Sequence, residues 1–438
     1  MATSARVSNF LNSPFKFLLL LERIILAQIF GTVNNFSPRG AQSTLRRQAG
    51  QRPIANNGWG IALGDWILAA SVGSFLILDV GFLMILDCLE KVLHRQNLTV
   101  EEASTVMEEI LAGDASPTQM AALLIALSMK GETEEELLGM ARTLRGKTYL
   151  FNHYGPVEVG LANTERRMLA QAAPFHDGSA AAPEPASTFN IASAVAFVVA
   201  GAGLHVLQQG HRSADNGLES AAVLEVLGIN TRIPAWKIAQ CVAEVGLGFV
   251  FEPLISEAME HLIFAFREIP VPTAFNLLLP MLNPGGAPSL VLGIHSAAFT
   301  ATVARVAARM GVRHAFVFHG SDGLDEITNT GPTILAEVLN NQTQINHISP
   351  GDFGFPAGRL EDLEGGDARR SADIILSLLK GESGARRNVV LLNAAPGMVC
   401  GGRARDLAEG VRVAAQSIDS GKALRVCERL AAMTNQVS

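Results

Sequence analysis

Cysteine is scarce in this sequence, and its four cysteines lie far apart. Cys88, Cys241, Cys400 and Cys427 form no Cys-x-x-Cys pair, so neither a zinc site nor a disulfide framework is indicated. A Gly-x-Ser-x-Gly elbow and a GxxxxGKS/T phosphate loop are also missing, which leaves serine-hydrolase and P-loop chemistry without support. The cysteine usage fits a reducing compartment.

An excess of basic charge is missing as well. The 438 residues include 34 Lys and Arg against 41 Asp and Glu, which gives a formal net charge of −7 and a pI near 5.8. This balance argues against nucleic acid as a partner. With 48% hydrophobic and 17% charged residues, the chain has the composition of a folded protein with two or three domains and a substantial core.

Acidic residues are almost absent from residues 1–64, where Glu22 stands alone against seven arginines and lysines. With its scattered serines, this stretch has the composition of an organellar transit peptide, which would place the protein in a stroma or matrix instead of the cytoplasm. Residues 67–85 are almost wholly apolar, although Asp79 near their middle would be costly in a bilayer. We therefore treat residues 1–85 as a leader; the alternatives are a membrane anchor at 67–85 and translation upstream of a natural start near Met84.

Three capping boxes follow one another and predict helix starts. Apolar residues recur at helical spacing between them, and Gly113 and Gly131 stand where the first two helices should end. These signals predict a small all-helical domain at residues 86–147. The boxes pair Thr99 with Glu102, Ser116 with Gln119 and Thr133 with Glu136.

Residues 188–230 change their apolar period along their length, which predicts a helix, a strand, a loop and a second helix. Asn190 and Ser193 stand where the first helix should begin. Because the N-terminus of a helix presents free N–H groups and a positive dipole end, this start is a candidate phosphate site; the alternative is an ordinary core unit that binds nothing. The elements fall at 194–201 (helix), 204–207 (strand), 208–217 (loop) and 220–227 (helix closed by Gly228).

Apolar strands and helices alternate after Thr273, which favours a mostly parallel sheet covered by helices. The predicted fold class is therefore α/β, with a small all-helical domain plus a larger domain that has a mostly parallel β-sheet flanked by helices. The larger domain should comprise 148–233 and 269–438, while amphipathic helices within 234–268 should join the helical domain. The later strands are predicted at SLVLGIH, HAFVFHG and NVVLLNAA, and the later helices at 297–310 and in most of 403–432.

Adjacent carboxylates, Asp325 and Glu326, follow the predicted strand HAFVFHG. Ligands of open α/β sheets collect at the carboxyl ends of strands, and Mg²⁺ is usually held by one or two carboxylates together with substrate phosphates. The pair is thus a candidate Mg²⁺ site, and the alternative is a solvated acidic turn. The dispersed histidines His205, His211 and His319 lack metal-ligand spacing and are interpreted as packing or hydrogen-bonding residues.

Longer motifs stand in a fixed order between residues 86 and 435. They begin with LTVEEASTVMEEILAGDASPTQMAALLIALSMKGETEEELLGM and continue with TFNIAS, AFNLLLPMLNP, HGSDGLDEITNTGPT, DLEGGD, LLNAA and IDSGKAL. In this order they resemble the anthranilate phosphoribosyltransferase family (glycosyltransferase family 3), whose fold is similar to that of pyrimidine nucleoside phosphorylases. The resemblance implies transfer of a phosphoribosyl group from phosphoribosyl pyrophosphate to the amine of anthranilate, with Mg²⁺ and loss of pyrophosphate, in tryptophan biosynthesis.

The resemblance also implies an assembly and a set of site residues. Family members usually form homodimers through the helical domain, and Leu124, Leu127 and the helices of 234–268 would supply that surface. The family's motifs assign phosphoribosyl pyrophosphate to Asp177, Gly178, Asn190, Ser193, Gly210, Arg212 and Ser213, anthranilate or a related small molecule to His211 and Arg267, and Mg²⁺ to Asp325 and Glu326.

The sequence departs from the family pattern mainly in loops that should face ligands. HDGSAAAPEPAS replaces the glycine loop GTGGDG, and QQGHR replaces KHGNR, so that neutral Gln208 stands in place of a lysine. This distribution predicts a phosphoribosyltransferase with a divergent active site. The alternatives are a catalytically lapsed member that acts as a binding or scaffold protein, and a nucleoside phosphorylase-like activity on another ribosyl substrate. Further departures are Ala192, Asp215 and Asn216, which replace serines, and Pro272, which replaces an arginine.

Overall fold

The computed structural model describes residues 84–148, 157–164, 188–210, 220–251, 269 and 271–436, all within one compact unit, Gly81–Ser438. The predicted leader at 1–85 lies outside these residues except for Met84 and Ile85, which begin the first described helix. Among the described helices, none is long and apolar enough to cross a membrane.

The helical bundle begins where the capping boxes predict. In each box the hydroxyl accepts the backbone N–H three residues later, and the side chain of that later residue accepts the N–H of the first. All three predicted helix starts are therefore confirmed. Gly113 ends the second helix with φ at 79°, a conformation that costs little only for glycine. The helices are α1 (Met84–Leu93), α2 (Val100–Ala112), α3 (Pro117–Lys130) and α4 (Glu134–Gly146).

Two residues that were expected at a dimer surface lie inside this bundle. Leu124 and Leu127 are 1% and 0% exposed and belong to the core that α3 shares with its neighbours. The reason is that they stand on the inward face of α3, one turn apart. The apolar side chains that the two packed helices α1 and α3 do expose are Leu86, Leu93, Ile125 and Met129.

One sheet forms the centre of the larger part of the chain. Its strands are β1 (Val159–Asn163), β2 (Val206–Gly210), β3 (Leu247–Phe251), β4 (Ser289–Gly293), β5 (His314–Gly320), β6 (Thr333–Leu339) and β7 (Gln342–Ile348). Their order is β3-β2-β1-β4-β5-β6-β7; the first five in this order are parallel to one another, and the last two pair antiparallel. The predicted mostly parallel sheet is confirmed.

Helices cover both faces of the sheet. The described α-helices of this part of the chain are α5 (Ile191–Gly201), α6 (Ser220–Val226), α7 (Ala235–Val245), α8 (Ala274–Leu278), α9 (Thr300–Arg309), α10 (Ala368–Leu379), α11 (Ala385–Cys400), α12 (Leu407–Asp419) and α13 (Lys422–Thr434). Helix α9 packs on β5 to β7 and also contacts α4, so one face shares a core with the helical bundle. Helices α5 and α10 to α13 pack in the core of the other face.

One strand predicted from the sequence is wrong, because NVVLLNAA lies in helix α11. Residues 389–399 are all buried, so the segment shows no amphipathic period. A short apolar run of this kind does not distinguish a buried strand from a buried helix.

Other strands differ from the prediction in position or lie where no strand was expected. The strand predicted at 204–207 begins at Val206 and continues to Gly210, because the buried polar residues Gln208 and Gln209 pair with β3 and are not part of the loop. Strands β1, β3, β6 and β7 lie where the sequence patterns predict no strand. The hairpin β6–β7 turns at Asn340 and Asn341, whose φ angles of 49° and 66° are typical of a tight two-residue turn.

The stretch 234–268 was expected to join the helical domain. Its first helix, α7, packs against β3 and α13, while 252–268 lie outside the described residues. The domain boundary in this stretch stays a prediction.

Strand β1 lies where the chain changes direction across the sheet. From β1 the chain continues to β2 and β3 on one side, and it then returns to β4 on the other side. In open α/β sheets a crevice forms at such a point, outside the carboxyl ends of the strands. The segments that follow β1, β2, β4 and β5 therefore define the place to look for a site.

Candidate functional site

Helix α5 begins at the carboxyl edge of the sheet with a defined cap. The Asn190 side-chain oxygen accepts the N–H of Ser193 at 2.9 Å, so the predicted helix start is confirmed. The Asn190 N–H donates to the hydroxyl of Ser371 at 2.9 Å, and the preceding Phe189 N–H donates to the carbonyl of Leu363 at 2.9 Å. The TFN segment is thus anchored to the DLEGGD motif. Whether this helix start binds phosphate stays a prediction.

The end of β2 carries two buried glutamines. Gln208 and Gln209 are 4% and 6% exposed. The Gln208 amide N–H donates to the carbonyl of Gln209 at 2.9 Å, and that of Gln209 donates to the carbonyl of Leu279 at 2.7 Å. Neither side-chain oxygen has a hydrogen-bond partner among the described residues. The two residues that lead into the predicted anion loop are therefore neutral, and their buried oxygens lack a partner in the described part of the chain.

Gly210 ends β2. Of the three residues in this segment that were predicted to bind phosphoribosyl pyrophosphate, it alone lies in the described part of the chain. A Cβ at this position would lie 2.8 Å from the ring of Phe251, so the glycine is required by close packing. The other predicted ligand residues lie outside the described part of the chain; they are Asp177, Gly178, His211, Arg212, Ser213 and Arg267.

The loop after β5 is a closed, buried turn. The Asp322 carboxylate accepts the N–H of Leu324 at 3.1 Å and the hydroxyl of Thr330 at 2.8 Å, and it also accepts the hydroxyl of Thr328. Asp325 and Glu326 are each only 9% exposed. The acidic pair therefore does not sit on a solvated turn.

Residues from three other elements hold this acidic loop in place. At the end of β1, the Asn163 amide donates to the carbonyl oxygen of Asp325 at 2.6 Å, and the Thr164 hydroxyl lies 3.4 Å from an Asp325 carboxylate oxygen. From α11, Asn393 accepts the Ile327 N–H at 2.7 Å and donates to the Ile327 carbonyl at 2.8 Å. At the end of β4, a Cβ on Gly293 would lie 1.9 Å from the Asp325 carbonyl oxygen, so the strand and the loop are in backbone contact.

These supporting residues are not evident in the sequence patterns. Asn163 follows a strand that the patterns do not predict, and Asn393 lies in LLNAA, a motif that the sequence analysis places on a strand. The LLNAA motif itself was the available signal, since an asparagine inside an apolar run needs a hydrogen-bonding partner when it is buried.

The two carboxyl groups of the acidic pair interact unfavourably with each other. Burial raises the pKa of Glu326 well above its ordinary value, and the negative charge of Asp325 raises it further, while a hydrogen bond from Asn163 acts in the opposite direction. A hard divalent cation would relieve this repulsion, because two carboxylates plus phosphate oxygens are typical Mg²⁺ ligands. Within the described residues no group of three or more His, Cys, Asp or Glu side chains could hold a metal ion. The residues fit a cation that shares its coordination with a substrate.

Two of the three histidines singled out by the sequence make hydrogen bonds. His319 contacts the carbonyl of Ile294 at 2.9 Å, and His205 pairs with Glu158 at 3.0 Å, so the interpretation of these two as hydrogen-bonding residues is confirmed. His295, which follows β4, was not singled out by its sequence. Burial lowers its pKa to about 4, with a further contribution from His319, and its Nδ1 has no partner among the described residues.

Comparison with known proteins places the chain in the glycosyl transferase family. The glycosyl transferase family helical bundle domain matches residues 86–148, and the glycosyl transferase family a/b domain matches residues 184–424. The chain is 43% identical to the anthranilate phosphoribosyltransferase of Pelotomaculum thermopropionicum, over 81% of this chain and 98% of that protein. The relative from Geobacter sulfurreducens is 41% identical over 81% of this chain and 100% of its own length. The chain belongs to the anthranilate phosphoribosyltransferase family.

Solved structures agree with this assignment. The Thermus thermophilus anthranilate phosphoribosyltransferase has a TM-score of 0.70 and 32% identity, covering 80% of this chain and 100% of that one. The Saccharomyces cerevisiae enzyme in complex with phosphoribosyl pyrophosphate and Mg has a TM-score of 0.67 over 81% of this chain and 98% of that chain, and its 20% identity supports the shared fold alone.

Proposed function

We propose that this chain transfers the phosphoribosyl group of phosphoribosyl pyrophosphate to the amine of anthranilate, in tryptophan biosynthesis, with an active site that diverges on its β2 side. The observation that carries the proposal is the buried Asp325–Glu326 pair, held in place by Asn163 and Asn393. A solvated turn without function would not need two amides to hold its backbone.

The described residues support specific roles. Asp325 and Glu326 would hold Mg²⁺, which neutralises negative charge on a pyrophosphate leaving group when it is bound. Asn190 and Ser193 set the start of α5, where free N–H groups would donate hydrogen bonds to phosphate oxygens, and Gly210 lets the backbone of β2 pass close to Phe251. The predicted ligand residues outside the described part of the chain, His211 and Arg267 for anthranilate among them, remain part of the proposal.

One titration tests the proposal. Phosphoribosyl pyrophosphate should bind in calorimetry only when Mg²⁺ is present, and added anthranilate should then lose its fluorescence as it is consumed. Without any binding at high protein concentration, the transferase proposal would be wrong.

The neutral β2 side favours a second candidate, a lapsed family member that acts as a binding or scaffold protein. The buried oxygens of Gln208 and Gln209, which have no partner among the described residues, would not bind a phosphate, because both groups are hydrogen-bond acceptors. Micromolar, Mg²⁺-dependent binding of phosphoribosyl pyrophosphate that Asp325→Asn abolishes would contradict this candidate.

We also propose a homodimer through the helical bundle, because α1 and α3 pack together and expose Leu86, Leu93, Ile125 and Met129. Met129→Glu should shift sedimentation toward the monomer. Ile345→Glu is the control, since Ile345 is 48% exposed on β7, away from these helices. Equal behaviour of both variants would argue against this surface.

A further inference from the structure

Two asparagine side chains bond to the backbone on either side of Glu326. The Asn163 amide donates to the carbonyl oxygen of Asp325 at 2.6 Å, which belongs to the peptide group before Glu326. Asn393 accepts the N–H of Ile327 at 2.7 Å, which belongs to the peptide group after it. Both peptide groups that flank Glu326 are therefore fixed by side chains from distant elements, β1 and α11.

The Asn393 amide has only one workable orientation. Its oxygen accepts the Ile327 N–H, and its nitrogen donates at 2.8 Å to two carbonyls, those of Ile327 and Val389. A flipped amide would set its NH₂ group against an N–H and its oxygen against two carbonyl oxygens, so all three bonds would be lost. Since Asn393 is 2% exposed, water could not replace them. Asn393 thus fixes the backbone of the acidic loop and not merely a side chain near it.

We propose that Asn393, assisted by Asn163, is a positioning residue that holds the Glu326 carboxylate beside Asp325 for a divalent cation. Two adjacent carboxylates repel each other, and a loop free to move would separate them before a cation arrived. Fixing both flanking peptide groups prevents that movement. Supporting residues of this kind orient metal ligands in many sites. The inference rests on the proposed Mg²⁺ role of the acidic pair and extends it to two asparagines that bond to the backbone of the acidic loop.

The chain contains a matched control for Asn393. Asn283 donates to the carbonyl of Ala287 at 2.8 Å and accepts the N–H of the same residue at 3.0 Å, and it is 4% exposed. Asn283 therefore bonds to both the N–H and the carbonyl of one residue, as Asn393 does with Ile327. Asn283 lies before β4, at the amino edge of the sheet, opposite the acidic loop. Its loss should lower stability without reaching the cation site.

The experiment compares Asn393→Ala, Asn163→Ala and Asn283→Ala in the full chain. The Mg²⁺ concentration that half-saturates the thermal shift with phosphoribosyl pyrophosphate should rise by about ten- to 100-fold in Asn393→Ala. Asn163→Ala, at a less buried strand end, should show the lower end of that range, and Asn283→Ala should leave the concentration unchanged. If Asn393→Ala does not fold, Asn163→Ala decides the question by the same measurement.

A second readout needs neither metal nor substrate. Amide hydrogen exchange over residues 321–330 should accelerate in Asn393→Ala and Asn163→Ala and remain as in the parent in Asn283→Ala. Unchanged exchange together with an unchanged Mg²⁺ requirement would overturn the inference. If the parent protein bound no Mg²⁺ with phosphoribosyl pyrophosphate, the proposed function would fail. Hydrogen exchange would still test the two asparagines by itself: unchanged exchange in both Asn393→Ala and Asn163→Ala would refute their positioning role.

Discussion

The end of β2 and the loop that follows β5 lie at the same edge of the sheet but differ in their hydrogen bonding. After β5, the backbone around Asp325 and Glu326 is bonded to Asn163 and Asn393 and touches Gly293. At the end of β2, the oxygens of Gln208 and Gln209 are buried without a partner among the described residues. On the β5 side the backbone is held in place by other elements, and on the β2 side two buried oxygens lack a partner among the described residues.

In the proposed transfer, these two sides would serve different parts of the reaction. A cation site needs ligands that are held in place, and hydrogen bonds hold the backbone of the acidic loop on the β5 side. An unsatisfied buried acceptor costs about 1 to 3 kcal/mol, and a ligand recovers that cost by offering an N–H or O–H group. A phosphate oxygen offers neither, whereas the lysine of the family motif would attract it. The β2 side is therefore where this chain's substrate requirements should differ from those of its relatives.

The acidic pair should give the largest effect. In an Asp325→Asn, Glu326→Gln double variant, loss of the cation ligands should lower the transfer rate by about 100- to 1,000-fold, since a metal's charge contributes several kcal/mol. Measured at saturating Mg²⁺, anthranilate fluorescence reports the rate. Glu382→Gln, at an exposed position after α10, should behave like the parent. If the double variant kept full activity, the proposal that Asp325 and Glu326 bind Mg²⁺ would be wrong.

Two glycines compare the packing of the two sides directly. Gly293→Ala should lower the free energy of unfolding by about 3 kcal/mol, because its Cβ would meet the backbone oxygen of Asp325 at 1.9 Å. Gly210→Ala should lose about 1 kcal/mol, because its Cβ would meet the Phe251 ring at 2.8 Å and a side chain moves more easily than backbone. Urea denaturation measures both. The reverse order would mean that the β2 side is the more tightly packed one.

The sequence predicts the local features and misses the distant contacts. The starts of α2, α3 and α4 were predictable because both partners of each capping box lie three residues apart. The helix α11 was not, since a segment buried all round carries no period. Within the site, Asp325 and Glu326 stand in a motif, whereas Asn163 and Asn393 bond to residues 162 and 66 positions away. Contacts over such distances depend on strand order, which one sequence does not reveal.

His295 should give a smaller effect, visible only in acid. Its pKa of about 4 in the folded protein lies below the ordinary 6.5, so the unfolded chain binds the proton more tightly. Stability should therefore be full above about pH 6.5 and fall by about 2 kcal/mol as the pH drops to about 4. Unfolding of His295→Gln over this range should lack that loss. His347→Gln, on the exposed strand β7, should retain it, and a parent-like profile in His295→Gln would show that the β4 end is open to water.

The smallest effect is expected at Gln208. Its variant is compared with a variant of Asn393, whose side-chain amide is fully hydrogen-bonded. Gln208→Met removes one hydrogen bond, to the Gln209 carbonyl, but also removes a buried oxygen without a partner among the described residues. These changes oppose each other, so the free energy of unfolding should change by less than about 1 kcal/mol, whereas Asn393→Leu, which removes three bonds, should cost about 3 kcal/mol. Urea denaturation of the ligand-free protein measures both. A loss at Gln208 as large as that at Asn393 would mean that its oxygen is satisfied in solution, and the contrast between the two sides of the crevice would not hold.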